Sequence, residues 1–294
     1  MKKKAMGIVA ACAVAAIVAV GTAAAAKEEV LRPYVLASEN PGAVADVAAQ
    51  TRAALTQAGF EVAGEYPVSA TAHVIAVTSD ALRAAAATTP DGGFAAVLRV
   101  SVTQAGGNVQ VAYSNPAWLA NICRLAAAPE GVAAALEKAL GRREEFGSKA
   151  GFTAKSLRSY HYMVFMPFFD DQVVLGTFAS RAAAAAKLEA GLAASKEAKL
   201  IYRVDLPGTE QSLFGIAILA GDGADAAVMK STDTGALRHT AHLPYEVLVS
   251  GGRVLMLHGK FRIAQSFPDL TMGTFMKISG APDAIAKVLG GLVK

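Results

Sequence analysis

The sequence predicts an α+β fold of two related two-layer domains, each an antiparallel sheet with helices packed on one face. Three observations carry this. Short apolar runs with strand character come in pairs, and single helical stretches separate the pairs, an order that suits antiparallel hairpins rather than βαβ crossovers. Glycine dipeptides stand at Gly106-Gly107 and Gly251-Gly252, each between two such runs, where a tight hairpin needs positive φ. Punctuation also recurs along the chain. Val109-Gln-Val-Ala-Tyr-Ser-Asn-Pro116 leads to Ala128-Pro129-Glu130 and a last helix through Gly141, while Phe261-Arg-Ile-Ala-Gln-Ser-Phe-Pro268 leads to Ala281-Pro282-Asp283 and a last helix through Gly290.

In chain order, Val44, Val47, Ala48, Thr51, Leu55 and Ala58 recur at helical spacing, with Asn40-Pro41 before them and Gly59 after. Strands are expected over 73–78, 95–103 and 109–113, and the charged, glycine-bearing stretch that follows reads as a linker. In the second half strands are expected over 160–165, 200–206, 213–219, 246–249 and 254–257. Ser180 precedes an alanine-rich helix ending near Ser195, and Ile285, Val288, Leu289 and Leu292 form one face of a final helix. The resulting division is a leader over 1–26, a first unit over 27–141, a linker over 142–157 and a second unit over 158–294.

The leader has three parts in order: Lys2, Lys3 and Lys4, an uncharged apolar stretch from Ala5 to Ala26, and small residues before Lys27-Glu28-Glu29. This is the pattern of a secretory signal peptide and implies a periplasmic protein with no membrane span after cleavage. The alternatives are an N-terminal anchor in the inner membrane, since the stretch is just long enough to span, and a lipoprotein on Cys12, which falls early for a lipobox. Removing Lys2, Lys3 and Lys4 reduces the whole-chain charge of +4 to +1. The basic balance therefore belongs largely to the leader, and no concentrated basic face points to nucleic acid. Cys123 is the one cysteine left, which excludes an intramolecular disulfide and a cysteine-rich metal site.

The stretch from His73-Val-Ile-Ala-Val-Thr to Tyr113-Ser-Asn-Pro-Ala-Trp-Leu-Ala, and Leu243-Pro-Tyr-Glu-Val-Leu-Val-Ser-Gly-Gly-Arg-Val, carry a leucine–proline step into a strand, a glycine turn and a returning strand. In these features the chain resembles the domain of unknown function 302 family, loosely and over most of its length. The resemblance implies a compact two-layer α+β domain, present twice, and no activity. The segment 259–264 and the run from His239 to Pro244, which has no copy in the first half, depart from the pattern.

No standard enzyme signature is present: no Gly-x-Ser-x-Gly, no His-Glu-x-x-His, no phosphate loop ending in Gly-Lys-Ser/Thr. Gly221-Asp-Gly223-Ala-Asp lacks the surrounding βαβ unit of a dinucleotide site and reads as a turn with Asp222 capping a helix. The second half holds four of the five histidines, and its loop before the 246–249 strand gathers Asp233, Arg238, His239, His242 and Glu246 as candidate ligand-binding residues, since loops on a rigid sheet carry binding groups. A second pattern sets His161 two residues from Met163, and Met256 two from His258. On a strand each pair would share a face. Met272 and Met276 follow at helical spacing. Imidazole with thioether suits Cu(I), so copper is an alternative cofactor where none is otherwise expected; against it stands the ordinary use of methionine as core filling.

The leading reading is an exported, non-catalytic protein that binds a small ligand or an envelope partner. The alternatives are an enzyme with its site in the second half and a periplasmic copper-binding protein. The leader makes the first prediction: protein recovered from a periplasmic extract has an intact mass corresponding to a chain starting near Lys27. A membrane-bound species retaining residues 1–26 would establish the anchor instead.

Overall fold

The computed structural model describes residues 28–294; the leader and its processing lie outside them. The first half contains β1 (Val30–Leu31), β2 (Tyr34–Asn40), α1 (Val44–Gln57), β3 (Glu61–Ser69), β4 (Ala72–Thr78), α2 (Asp80–Ala87), β5 (Leu98–Ala105), β6 (Asn108–Ser114), α3 (Pro116–Ile122), α4 (Val132–Leu140), β7 (Glu144–Phe146), β8 (Phe152–Thr153) and α5 (Ala154–Arg158). The second contains β9 (Val173–Thr177), α6 (Arg181–Ala194), β10 (Ala198–Asp205), β11 (Gln211–Ile218), α7 (Asp225–Thr232), β12 (Tyr245–Ser250), β13 (Arg253–Met256), α8 (Gly259–Ala264), α9 (Met272–Lys277) and α10 (Ala281–Gly291). Short 3-10 turns at Gly92–Ala95 and Thr240–His242 precede β5 and β12.

The predicted class is observed. One sheet has the order β3-β4-β5-β6-β2-β7 and the other β10-β11-β12-β13-β9, every pairing antiparallel. Apart from β7, strand order and connectivity are the same in both: a strand, a helix, a hairpin, a second helix, a second hairpin and closing helices. Local chemistry sets these boundaries. Ser180 accepts from Ala183 N–H to start α6, Asn115 accepts from Ala117 N–H to start α3 ahead of Pro116, and Gly141 ends α4 at φ 91°.

Alternation along the strands divides each sheet into two faces. In the second sheet Phe214, Ile216, Val247, Val249, Val254 and Met256 pack under α6 and α10 in one core. Leu213, Leu248 and Leu255, pointing the other way, join the core of the first unit. The 3-10 turns interlock reciprocally. Gly93 donates its N–H to Gln211 Oε1 on β11, and Ala241 offers its carbonyl to Arg99 on β5. The layers therefore run helix, sheet, sheet, helix, with the inner faces of the sheets turned toward each other.

Two glycines permit this approach. A Cβ on Gly64 of β3 would lie 2.2 Å from the Ile201 carbonyl oxygen of β10, so the two edge strands touch there. A Cβ on Gly215 would lie 2.2 Å from the Tyr202 ring, which crosses β11 over that position.

Three sequence expectations need correction. No strand forms over 160–165. The segment is irregular, because Tyr160 turns inward to the Ala264 carbonyl while Val164 and Phe165 stay exposed, Phe165 at φ 67°. The strand opening the second unit is β9, a five-residue run that the pattern did not flag. The correspondence between 109–116 and 261–268 is out of register: the strand equivalent to β6 is β13, and 259–264 is helical. The Gly-Gly turns were the sound landmark, since both join the second hairpins. The stretch 142–157 is not a free linker, because β7 extends the first sheet beside β2, β8 pairs with β1, and α5 lies against α3.

Because Gly215 leaves room for the Tyr202 ring between the sheets, Gly215→Ala is expected to destabilise the protein by about 1–3 kcal/mol through forced displacement of that ring. Urea unfolding of wild type and variant measures it; an unchanged midpoint would mean that the ring has room elsewhere.

Candidate functional site

The inner face of the first sheet carries the buried polar side chains Arg99, Ser101, Thr103, Gln110 and Ser114, and the facing surface of the second holds Glu246 among Leu213, Leu248 and Leu255. Arg99 on β5, one of the two middle strands of its sheet, and Glu246 on β12, the central strand of the other, form an ion pair with both side chains almost wholly buried. Arg99 Nε donates to Ala241 O at 2.9 Å, and Tyr202 donates its hydroxyl to Glu246 Oε1 at 3.1 Å from across Gly215. Arg262 on α8 places Nε 3.4 Å from Glu246 Oε2, within ion-pairing distance but off hydrogen-bond alignment. Its Nη2 donates to the carbonyls of His242 and Pro244, and its Nη1 to Ser266 Oγ at 2.8 Å.

His242 is fully buried in this network. Arg262 Nη1 lies 2.9 Å from its Nδ1, so that nitrogen accepts and the proton sits on Nε2, facing the Tyr245 hydroxyl at 3.3 Å. Burial, then the charges of Arg262 and Arg99, hold the imidazole pKa well below its ordinary value. His242 is therefore a neutral structural link and is closed to ligands. Cys123, also buried, has its thiol pushed up to about 12 by desolvation, which makes it unreactive.

His239 differs. Asp233, at the end of α7, accepts the His239 backbone N–H at 2.9 Å, and its Oδ1 lies 3.4 Å from His239 Nδ1, a close approach without hydrogen-bond alignment. The ring stacks on Phe267 at 5.0 Å between centroids and meets Tyr34 and Phe146 edge-on at 5.2 and 5.4 Å. Arg238 is occupied in holding this loop: its guanidinium donates to Asp233 O and its backbone N–H to Gln110 Oε1. Gln110, from the first sheet, also donates to Ala236 O at 3.1 Å. Both units thus fix the loop that presents His239.

Two concavities meet at His239, Gly147 and Asp269. One, of about 230 Å³, is lined by Thr232, Thr234, Phe267, Thr271 and Thr274. The other, of about 490 Å³, is lined by Arg32, Glu144, Glu145, Lys149 and Leu237. A larger groove of about 810 Å³ lies in the outer helical layer between α6 and α10, walled by small residues and by Lys187, Lys287 and Lys294. It includes the Gly221-Asp-Gly223 turn and none of the buried polar groups, so the chemistry favours His239 over the larger volume. Asp222 does not cap α7; the cap position is Ala224, with no side-chain bond.

The five loop candidates thus divide in two. His239 lines the cleft, Asp233 and Arg238 hold the loop that carries it, and His242 and Glu246 lie in the closed network behind it. The His/Met residues have separate surroundings. His161 sits in the irregular segment with Nδ1 2.8 Å from Met163 O and its ring against Phe168. Met256 is buried under α6 and α10, and His258 Nδ1 accepts from Lys260 N–H to cap α8. Among the described residues no three His, Cys, Asp or Glu side chains gather as a metal group, and no helix is long and apolar enough to cross a membrane.

The sequence reading missed Arg99, Arg262, Tyr202 and the aromatic cage. A signal for the arginines was available: each interrupts an apolar run, Val97-Leu-Arg-Val100 and Phe261-Arg-Ile263, where a charge requires a buried partner. The cage had none, because Tyr34, Phe146 and Phe267 come from three distant segments. No family model matches this sequence, and neither the curated proteins nor the solved structures include a match.

A second contact between the units sets a pH response. Tyr66 on β3 donates to Asp225 Oδ2 at 2.8 Å, and burial raises the Asp225 carboxyl from 3.8 to about 7. A raised acid stabilises the fold below its unfolded pKa and loses that contribution as pH climbs through about 7. His242, with its pKa lowered, has the opposite sign: its contribution is lost as pH falls below 6.5. The two oppose each other across mildly acidic pH. Asp225→Asn removes one of them, so its stability is expected to fall more steeply than that of wild type as pH drops below 6.5. Urea midpoints at several pH values test this, and parallel profiles would count against it.

Proposed function

We propose that this chain is an exported binding protein, made of two units related by duplication, that holds a small uncharged polar ligand in the cleft at His239. The common strand order of the two sheets supports the duplication, and the tripartite leader supports export. The observation that carries the binding reading is the setting of one imidazole. Its Nδ1 edge is buried beside Asp233, its ring is fixed by three aromatic side chains, and the residue lies in the wall of two concavities built from both units. An imidazole whose Nδ1 proton faces a carboxylate presents Nε2 as an acceptor. Beside it the smaller concavity is lined by Thr234, Thr271 and Thr274, by the Phe267 face and by Asp269, with no Lys or Arg in its wall; the Thr232 hydroxyl is taken up by Val228 O. That combination suits hydroxyl or amide groups on a compact ligand, fixed by a few polar contacts against an apolar wall.

A second reading rests on the same pair. A carboxylate beside an imidazole is also how a general base is oriented, and one of the threonine hydroxyls would then be the nucleophile. The binding reading needs His239 and is indifferent to any single hydroxyl, whereas a catalytic one needs both.

Native mass spectrometry of mature protein taken directly from a periplasmic extract is expected to show a bound small molecule. His239→Ala is expected to lose it while remaining folded, with stability lower by about 1–3 kcal/mol because the ring leaves its aromatic cage. His242 is unsuitable as a probe, because truncating a fully buried partner of Arg262 disturbs the fold. A folded His239→Ala protein retaining the ligand at wild-type occupancy would remove the cleft from consideration.

A further inference from the structure

Each sheet has two edges, and natural edge strands are guarded against pairing with other chains by charge, proline, bulges, shortness or a covering element. Three of the four edges here are guarded in these ways. β3 carries Glu61, Glu65 and Pro67 with two breaks in its register, β10 carries Lys199, Arg203 and Asp205, and the two strands lie against each other at Gly64 and Ile201. β7 has three residues, of which Glu144 and Glu145 are two. The fourth edge is β9, Val173-Val-Leu-Gly-Thr177, which has no charge and no proline and whose single register break faces β13. None of its five residues is buried, and among the described residues no strand pairs with its outer side.

The first sheet shows what fits such an edge. β2 holds the place there that β9 holds in the second sheet, and its outer side is covered by an antiparallel strand, β7, with Tyr34 opposite Phe146. The approach to β9 is apolar as well. Five of the nine large hydrophobic side chains exposed among the described residues, Met163, Val164, Phe165, Phe168 and Val174, fall between residues 163 and 174. A partner strand here would therefore cover apolar surface while completing the ladder.

The ends of the strand differ in sign. Asp171 precedes it, exposed, and Arg181 follows it, paired loosely with Glu210 at 3.8 Å. A second copy of the same strand, antiparallel about a two-fold axis, brings unlike ends together. Pairing centred near Gly176 sets Asp171 of each protomer opposite the partner's Arg181. A two-fold contact is self-complementary and closes at two copies, so neither β9 keeps an open side.

We propose that β9 is a dimerisation strand, pairing with β9 of a second copy to join two five-stranded sheets into one continuous sheet. No residue of 163–181 lines either concavity at His239, so the dimer does not depend on what that cleft binds.

Sedimentation velocity of the protein starting at Lys27 reads its mass at about 1–100 µM, the range over which an interface of micromolar affinity fills. Twice the protomer mass is expected. Val174→Lys replaces an exposed side chain, so the fold is kept, and it adds a charge from each copy to the shared ladder. The dimer is expected to weaken by at least about tenfold. Crosslinking tests the location. Cys123 is buried, so Thr177→Cys supplies the one accessible thiol. In the paired strands the two thiols lie two residues apart along the ladder, about 7 Å, and a short bismaleimide is expected to yield a covalent dimer. Leu219→Cys, exposed just past β11, is expected to yield none. A wild-type monomer at every concentration overturns the proposal and leaves the edge to a different protein. A dimer that survives Val174→Lys unchanged, or that Thr177→Cys does not link, places the contact elsewhere and overturns it too, as does growth beyond two copies. Should Val174→Lys not fold, the wild-type mass and the Thr177→Cys linkage decide between these outcomes.

Discussion

The pairing of Arg99 with Glu246 is the constraint on which the remaining architecture turns. Each charge occupies a middle strand of its sheet on the face turned to the other unit, and neither has access to water once the sheets meet. Taking such a pair out of water is expensive, and its attraction offsets that cost only when the remaining polar atoms are also bonded. Here the offset is distributed over Ala241 O, the Tyr202 hydroxyl and Arg262, all of which must be in place together. Leaving one member of a buried pair without its partner costs about 3–5 kcal/mol, a large share of the stability of a domain. A hydrophobic pair would permit sliding; a charge pair with directional neighbours fixes one register of sheet upon sheet.

That fixed register explains why the His239 loop is well defined despite lying outside the regular elements. Its polypeptide runs from α7 over the first sheet, where Gln110 binds it at two points, into the 3-10 turn whose Ala241 carbonyl accepts from Arg99. Phe146, which closes one side of the ring cage, is carried by β7, the strand present in the first sheet and lacking a counterpart in the second. The departure from symmetry between the units therefore coincides with the candidate site.

The class of fold could be read from the chain because it depends on local signals. Ser180, Gly141 and the Gly-Gly turns act within a few residues of themselves, and the strand periodicity of 73–78 or 213–219 needs no partner to be visible. The failures have a common physical source in long-range contacts. The run over 160–165 has strand composition, yet no neighbouring strand pairs with it; Tyr160 and Tyr162 bond instead to the carbonyls of Ala264 and Leu270, more than a hundred residues away. β9 was overlooked because five residues with half-exposed side chains give little alternation. In the site, Asp233 and His239 are near neighbours in sequence and could be proposed together, whereas His242 and Glu246 had the same appearance and proved to be interior. What separates them is burial between two sheets, a property of the assembled layers and of no local pattern.

The separation of the charge pair along the chain bears on how the protein comes to be folded. Arg99 and Glu246 are 147 residues apart, one in each unit. A polypeptide emerging from its N-terminus completes the first sheet long before β12 exists, and during that interval Arg99 stands on the inner face of the sheet without the carboxylate that pairs with it. Contacts of such range close late and leave the early half exposed while it waits. The first unit is thus a poor candidate for independent existence, whatever its ancestry. The second acts on it much as an intramolecular chaperone would, covering the surface that would otherwise draw other chains.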